Sequence, residues 1–311
     1  MHTFLTPEPI TVEIRNASGE IRVDLADVTT TTVDVVAGAS HPLGFLDDVI
    51  RAAKSQFGER KAFAGGRSRF DSPFDAETTA VPDDPAERVR VDLRQPSDQE
   101  SAATLIVDTD PARDGWKTSF AVHVTAPSAS GIRIQSQSGD ITVIGRADRL
   151  EARSASGKVA VDDVAGRTLV QTASGDVKIT TTSDCDVRSA SGDIVVDRVL
   201  ADAVVHSTSG DIQLGAAAGN INARSVSGDV RVLDASTGSA EIVTVSGDVE
   251  IGIHAGSVAA VDLSTVSGAT NSDFEVSDQA PDQDGAEGGP QLELRVKTTS
   301  GDIRLRRSVA V

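Results

Sequence analysis

Ser207-Thr208-Ser209-Gly210-Asp211-Ile212-Gln213-Leu214 is one copy of a unit that recurs along the C-terminal two-thirds of the chain. The glycines of successive copies are Gly139, Gly157, Gly175, Gly192, Gly210, Gly228, Gly247, Gly268 and Gly301, at intervals of 18, 18, 17, 18, 18, 19, 21 and 33 residues. Self-similarity at a short, nearly fixed step is the mark of stacked structural repeats. Two and four places after the glycine stand aliphatic residues: Ile141/Val143, Val159/Val161, Val177/Ile179, Ile194/Val196, Ile212/Leu214, Val230/Val232, Val249/Ile251 and Ile303/Leu305. Strict alternation of this kind is the period of a half-buried strand.

Upstream, the positions seven and five before the glycine are also mostly apolar, as in Ile132/Ile134, Leu150/Ala152 and Ala203/Val205. Hydroxyl residues continue the same parity three and one places before it, as in Ser154/Ser156 and Ser207/Ser209. Each step therefore holds two short strands that meet at a glycine corner. Glycine relieves the steric block of a tight bend, and no 3.6-residue period fits these windows. A unit this small cannot bury its apolar face alone, so it must stack on its neighbours. The sequence predicts an all-β, single-stranded parallel β-solenoid with coils of about 18 residues. Equivalent residues then form ladders at about 4.8 Å per coil.

The chain has 311 residues and a formal net charge of −18. That balance argues against nucleic acid, which demands clustered Lys and Arg, and against adsorption to an anionic membrane surface. Cys185 is the one cysteine, so no intrachain disulfide forms; its inward position suits a small buried residue. The start, Met1-His2-Thr3-Phe4-Leu5-Thr6-Pro7, lacks the basic and apolar segments of a leader. No apolar run is long enough for a transmembrane segment. The expected address is the cytoplasm, with association to the envelope as second choice.

Outside the array, residues 1–38 read as N-terminal cap strands. They contain Ile10–Ile14, a Ser18-Gly19 corner and Ile21–Leu25, an outlying copy of the repeat. Residues 39–90 read as an insertion. Within it Phe45, Leu46, Val49, Ile50, Ala53 and Phe57 share one face at helical spacing, which predicts a short amphipathic helix over 44–64. A flexible Gly/Pro/Asp/Ser-rich loop over 65–87 follows. Residues 91–311 form the array, interrupted by an acidic insertion at 273–290 with no apolar rhythm, which is expected to be disordered. Leu292–Val296 and Ile303–Leu305 are expected to close the array, with Arg304, Arg306 and Arg307 protecting its last edge.

The opening Phe4-x-Thr6-Pro7-Glu8-Pro9-Ile10, the repeated Ser-x-Ser-Gly-Asp-Ile/Val and the tail Thr299-Ser300-Gly301-Asp302-Ile303-Arg304-Leu305-Arg306-Arg307-Ser308 resemble the DUF4097 family of bacterial proteins, the "putative adhesin" group. The resemblance covers residues 1–38 and about 100–311. It implies a β-solenoid without an assigned enzymatic activity and with no catalytic motif to carry over. The region 39–90 is longer than the family pattern and leaves room for an added interaction element.

Two outward columns are candidate sites. The structural corner combines Gly139, Asp140, Gly157, Gly175, Asp176, Gly192, Asp193, Gly210, Asp211, Gly228, Asp229, Gly247, Asp248, Gly301 and Asp302. Its carboxylates can cap backbone N–H groups or line up oxygen ligands for calcium. Lys158 breaks the row, and the calcium-binding nonapeptide is absent, so capping is expected and no metal or cofactor. The second column lies four places before the glycine: Gln135, Arg153, Gln171, Arg188, His206, Arg224, Val243 and Lys297. Of these, Arg153, Arg188, His206, Arg224 and Lys297 form a basic candidate binding surface on an acidic rod. Its alternative reading is a solvated face whose arginines neutralise nearby acids. The helix face at 45–57 reads as a cover for the N-terminal end of the solenoid, with partner binding as the alternative. Trp116 reads as a local packing anchor, and the five histidines show no metal-ligand spacing.

The function expected is a non-enzymatic β-solenoid binding or scaffold protein that presents laddered surfaces to an unknown protein or anionic envelope polymer. Self-association is compatible with its edges. One alternative is a cytosolic accessory or regulatory module linked to envelope stress. Another is a β-helix carbohydrate-active enzyme, which needs paired carboxylates in a groove.

Overall fold

The computed structural model describes residues 1–38, 89–96, 102–109, 119–274 and 291–308. The described residues are all-β, with no helix among them. The expected helix at 44–64, the loop at 65–87, Trp116 and residues 275–290 lie outside them.

The alternation seen in the sequence sets which side chains face inward. In Ala203–Ser209, Ala203, Val205 and Ser207 are buried while Thr208 and Ser209 are exposed. Past the Gly210 corner, Ile212 and Leu214 are fully buried. Each such aliphatic contributes roughly 1.5–3 kcal/mol on leaving water. The coils are parallel and in register: Ala203, Val205 and Ser207 sit on Ile221, Ala223 and Ser225, and Ile212 and Leu214 on Val230 and Val232. The core is therefore one continuous column of aliphatic ladders along the rod axis.

The corner explains why glycine recurs. Gly210 has φ +127°, and a Cβ there would lie 2.3 Å from the carbonyl oxygen of Gly192 one coil away. Gly228 has φ +141° and the same relation to the Gly210 carbonyl. Both the backbone region and the close approach exclude a side chain. The Gly210 N–H donates to the Ser227 carbonyl at 3.1 Å, which ties the corner to the other neighbour.

Naming each coil by its corner glycine, the order in space is Gly19, Gly139, Gly157, Gly175, Gly192, Gly210, Gly228, Gly247, Gly301, Gly268. It departs from chain order at both ends. Residues 11–26 supply a full coil of the column. That coil lies between the Gly139 coil and an outer coil made by Thr104–Asp108 and Phe120–Pro127. At the other end, Gln291–Ser300 and Ile303–Arg307 slide between the Gly247 coil and Val258–Ser272. The expectation that residues 292–307 close the array is thus corrected: among the described residues Val258–Ser272 is the outermost coil. The physical reason lies in the side chains. Ile303 and Leu305 are buried and need cover on both sides, whereas the Gly268 coil has the exposed Thr270 and Ser272 at those positions.

The two ends are finished differently. At the N-terminal end, Thr30–Ala37 pairs antiparallel with Phe120–Pro127, His2–Leu5 pairs with Thr30–Ala37, and Arg90–Arg94 pairs with Thr104–Asp108. Among the described residues nothing pairs with the outer edge of Val258–Ser267.

Gly210→Ala should destabilise the protein by at least about 2 kcal/mol, from the strained backbone together with the carbonyl clash. Gly256 has φ +93° but no atom within 4 Å of an added Cβ. Gly256→Ala should therefore cost only about 1 kcal/mol. Denaturant unfolding followed by circular dichroism ranks the two.

Candidate functional site

The column four places before each corner forms a continuous row. Arg15 sits on Gln135, Gln135 on Arg153, Arg153 on Gln171, Gln171 on Arg188, Arg188 on His206 and His206 on Arg224. Val243 then interrupts it before Lys297. The strand parity that buries Ile134, Ala152 and Val187 turns these side chains outward. Arg15, Gln135, Arg153, Gln171 and Arg188 line a groove of about 790 Å³. Beside them its surface includes the small residues Ala17, Ala155, Ala173 and Ala190, two places before the corner, with Gln137 and Thr208 in the same column. Small side chains there leave the groove shallow and give an extended ligand close access to the backbone.

Of the expected basic surface, Arg153 and Arg188 stand in the groove. His206 and Arg224 continue the same row beyond it, and Lys297 is separated by Val243. Arg15 was missed, although it stands four places before Gly19 and obeys the same rule. The alanine surface was also missed; its signal is the alanine two places before Gly19, Gly157, Gly175 and Gly192.

Carboxylates two places upstream on the same strand face partner the arginines. Arg15 meets Glu13 at 2.6 Å, Arg153 meets Glu151 at 3.0 Å and Arg188 meets Asp186 at 3.1 Å. Arg224 reaches Glu241 at 4.0 Å. The Arg153 and Arg188 side chains remain 51% and 54% exposed, so these pairs contribute little stability. They do fix the direction of each guanidinium while leaving N–H donors free. The surface is thus a charge-balanced row, locally neutral on a chain of net charge −18. His206 has its pKa lowered, first by burial and then by Arg224 and Arg188 on the adjoining coils; Asp186 and an Asn222 hydrogen bond oppose this.

The aspartates after the glycines cap backbone. Asp193 Oδ1 accepts from the Asp211 N–H, Asp211 from Asp229 and Asp229 from Asp248, each at 2.9 Å. Asp140, Asp176, Asp248 and Asp302 serve Lys158, Asp193, Asp302 and Ala269 in the same way. Repulsion down the column is relieved by cations three places after the corner. Arg231 bridges Asp229 and Asp211, and Arg304 bridges Asp302 and Asp248. Lys158, which replaces an aspartate in the column, lies 3.9 Å from Asp176. A second ladder, missed in the sequence, joins Asp184, Asp202, Asn220 and the Ser239 N–H elsewhere on the coil. Among the described residues no three His, Cys, Asp or Glu side chains gather to hold a metal.

Two histidines face single carboxylates: His123 with Asp24 at 2.6 Å and His254 with Asp234 at 3.0 Å. Burial raises the Asp24 pKa, but hydrogen bonds from Arg22 and His123 outweigh it and the net shift is downward. Cys185 is buried as expected, and burial pushes its thiol up to about 12.

The family model described as Toastrack DUF4097 matches residues 117–306, more than half of the chain. No curated protein matches. Among solved structures, one of a "putative adhesin" from Bacteroides fragilis is 13% identical, with a TM-score of 0.39, and the match covers 98% of this chain and 95% of that one. One of a "putative cell adhesion protein" from Clostridium sporogenes is 7% identical, with a TM-score of 0.24 and 98% coverage of both chains.

Three outcomes follow from this chemistry. His206 should titrate below its ordinary 6.5 in the folded protein, and Arg224→Gln should move that titration upward, as read by NMR. Between the lowered value and 6.5 the unfolded chain binds more protons. The contribution of His206 to stability is therefore complete above 6.5 and is lost as pH falls through the folded value. Asp229→Ala strands the Asp248 N–H and should cost about 1–3 kcal/mol. Asp229→Asn, which keeps an acceptor, should recover most of this in denaturant unfolding. Iodoacetamide should leave Cys185 unmodified until denaturant is added, as read by mass spectrometry.

Proposed function

We propose, for a chain that belongs to the Toastrack DUF4097 family, the role of a non-enzymatic binding and scaffold protein of the adhesin type. Its laddered surface meets a protein or an anionic polymer of the envelope, and the geometry favours the polymer. The observation that carries this reading is the groove in which arginine and glutamine alternate coil by coil beside a column that holds Ala17, Ala155, Ala173 and Ala190.

A ladder of this kind suits an extended repeating ligand. Arginines two coils apart are separated by about 9.6 Å, twice the strand spacing. A polymer laid along the rod meets the same donor set again and again, and each further contact is made at high effective concentration. The guanidiniums keep donors for carboxylate or phosphate oxygens. Their pairing with Glu13, Glu151 and Asp186 makes this strip locally neutral, so an anionic segment meets less repulsion here than on acidic surface.

Binding to polygalacturonate, measured by calorimetry, tests the reading. The combined Arg153→Gln and Arg188→Gln variant should bind at least about tenfold more weakly, since each lost charge-assisted bond is worth roughly 1.5–3 kcal/mol. Arg198→Gln, on the arm after the corner, should bind as the unaltered protein does. An equal loss in both variants, or none in either, contradicts the groove. Reproducible cleavage of the polymer by the protein contradicts the non-enzymatic role.

A further inference from the structure

We propose that the Gly268 coil is a self-association edge. Two copies of this chain join end to end through Val258–Ser267 about a two-fold axis, giving one rod of double length. The inference stands apart from the groove and rests on how the two ends of the rod are built.

The N-terminal coil is overlaid on both of its arms by antiparallel strands, whereas the outer edge of Val258–Ser267 meets no strand among the described residues. A parallel coil edge presents a row of N–H and C=O groups ready to pair. Natural proteins blunt such edges with lysine, proline, inward charge or bulges. Val258-Ala259-Ala260-Val261-Asp262-Leu263-Ser264-Thr265-Val266-Ser267 carries no lysine, arginine or proline. Its register on Gln291–Ser300 runs without a break from Val258 to Thr265. Glu293, Arg295, Lys297, Arg304, Arg306 and Arg307 lie instead on the coil beneath it. The chain has thus placed its charged coil inside and its nearly uncharged coil at the edge, the reverse of a protected end.

The exposed side chains agree. Val258, Val261 and Val266 are 53%, 36% and 83% exposed. The inward-facing Ala259 and Leu263 are only partly buried, because among the described residues no coil lies beyond them. The arm after the corner is finished differently. Thr270 and Ser272 replace aliphatics, and Phe274 packs on the core with the Arg307 guanidinium 5.6 Å from its ring. Among the described residues the open edge is therefore the Val258–Ser267 arm.

Charge selects a second copy as the occupant. Two molecules of net charge −18 repel where their acidic surfaces meet. This strand carries a single carboxylate, Asp262, which already lies 3.8 Å from Arg295. A two-fold axis sets the strand antiparallel to its own copy, supplies each unpaired edge with an identical one, and brings Ala259, Val261 and Leu263 against their counterparts. A two-fold contact between C-terminal ends closes on itself, so the product is a dimer and not a fibre.

Sedimentation equilibrium of the full chain tests this. The unaltered protein should give a particle of twice the 32.2 kDa chain mass. Val258→Lys combined with Val266→Lys should raise the dimer dissociation constant at least tenfold, with the β-type circular dichroism spectrum and the melting curve retained. Val245→Lys, at a valine 49% exposed on the side of the rod, should leave the dimer intact. A monomer at every concentration overturns the proposal, and so does a dimer that survives the edge lysines. A dimer dissolved by Val245→Lys but not by the edge variants shows side-by-side contact and overturns it too.

Discussion

At every corner the chain passes so close to the coil beside it that a methyl group has no room. The contact between a corner glycine and the neighbouring glycine carbonyl, repeated from Gly139 to Gly301, is the constraint on which the rest depends. It brings the coils to strand spacing, sets Ile212 on Val230 and Leu214 on Val232, and closes the aliphatic column. It also crowds the carbonyls and N–H groups of the turn, and the aspartate that follows most of these glycines answers that crowding by accepting from the next coil. A stacked row of carboxylates then needs cations, and Arg231 and Arg304 supply them. One steric requirement thus accounts for the Ser-Gly-Asp signature, and ladder energetics account for what surrounds it.

Much of this was legible in the sequence because period and parity are local. The glycine step gives the coil, the aliphatic pairs give the core, and an aspartate after a corner glycine is a residue able to accept from backbone N–H groups. The order of coils was harder. Every coil offers its neighbour nearly the same ladder, so local pattern does not say which stacks on which. The information was present in Thr270 and Ser272, which stand where other coils carry aliphatics and so mark an end. Ile303 and Leu305 mark an interior coil. Likewise the alternation of Thr30–Ala37 announces a strand but not its antiparallel direction. The groove was half legible: its arginines were read down a single column. Their pairing with Glu13, Glu151 and Asp186 appears only when the column two places upstream is read beside it.

The sides and ends of the rod pose different physical problems. A side repeats, so whatever binds there is recognised by a regular spacing of modest contacts rather than by one deep pocket. The groove of arginines, glutamines and alanines has that character. An end does not repeat, and each must stop a stack that would otherwise continue. The N-terminal end stops it with reversed strands. The C-terminal end stops one arm with hydroxyls and Phe274, and among the described residues it leaves the other arm unpaired.

Amide hydrogen exchange at the corners tests the central constraint most directly. The backbone N–H groups of Asp211, Asp229, Asp248 and Asp302 sit in turns, yet each is bonded to the aspartate of the coil before it. They should exchange as slowly as those of Ile212, Val230, Val249 and Ile303 beside them. Exchange at the rate of an open turn, with the flanking strands still protected, would contradict a rod held in register by its corners.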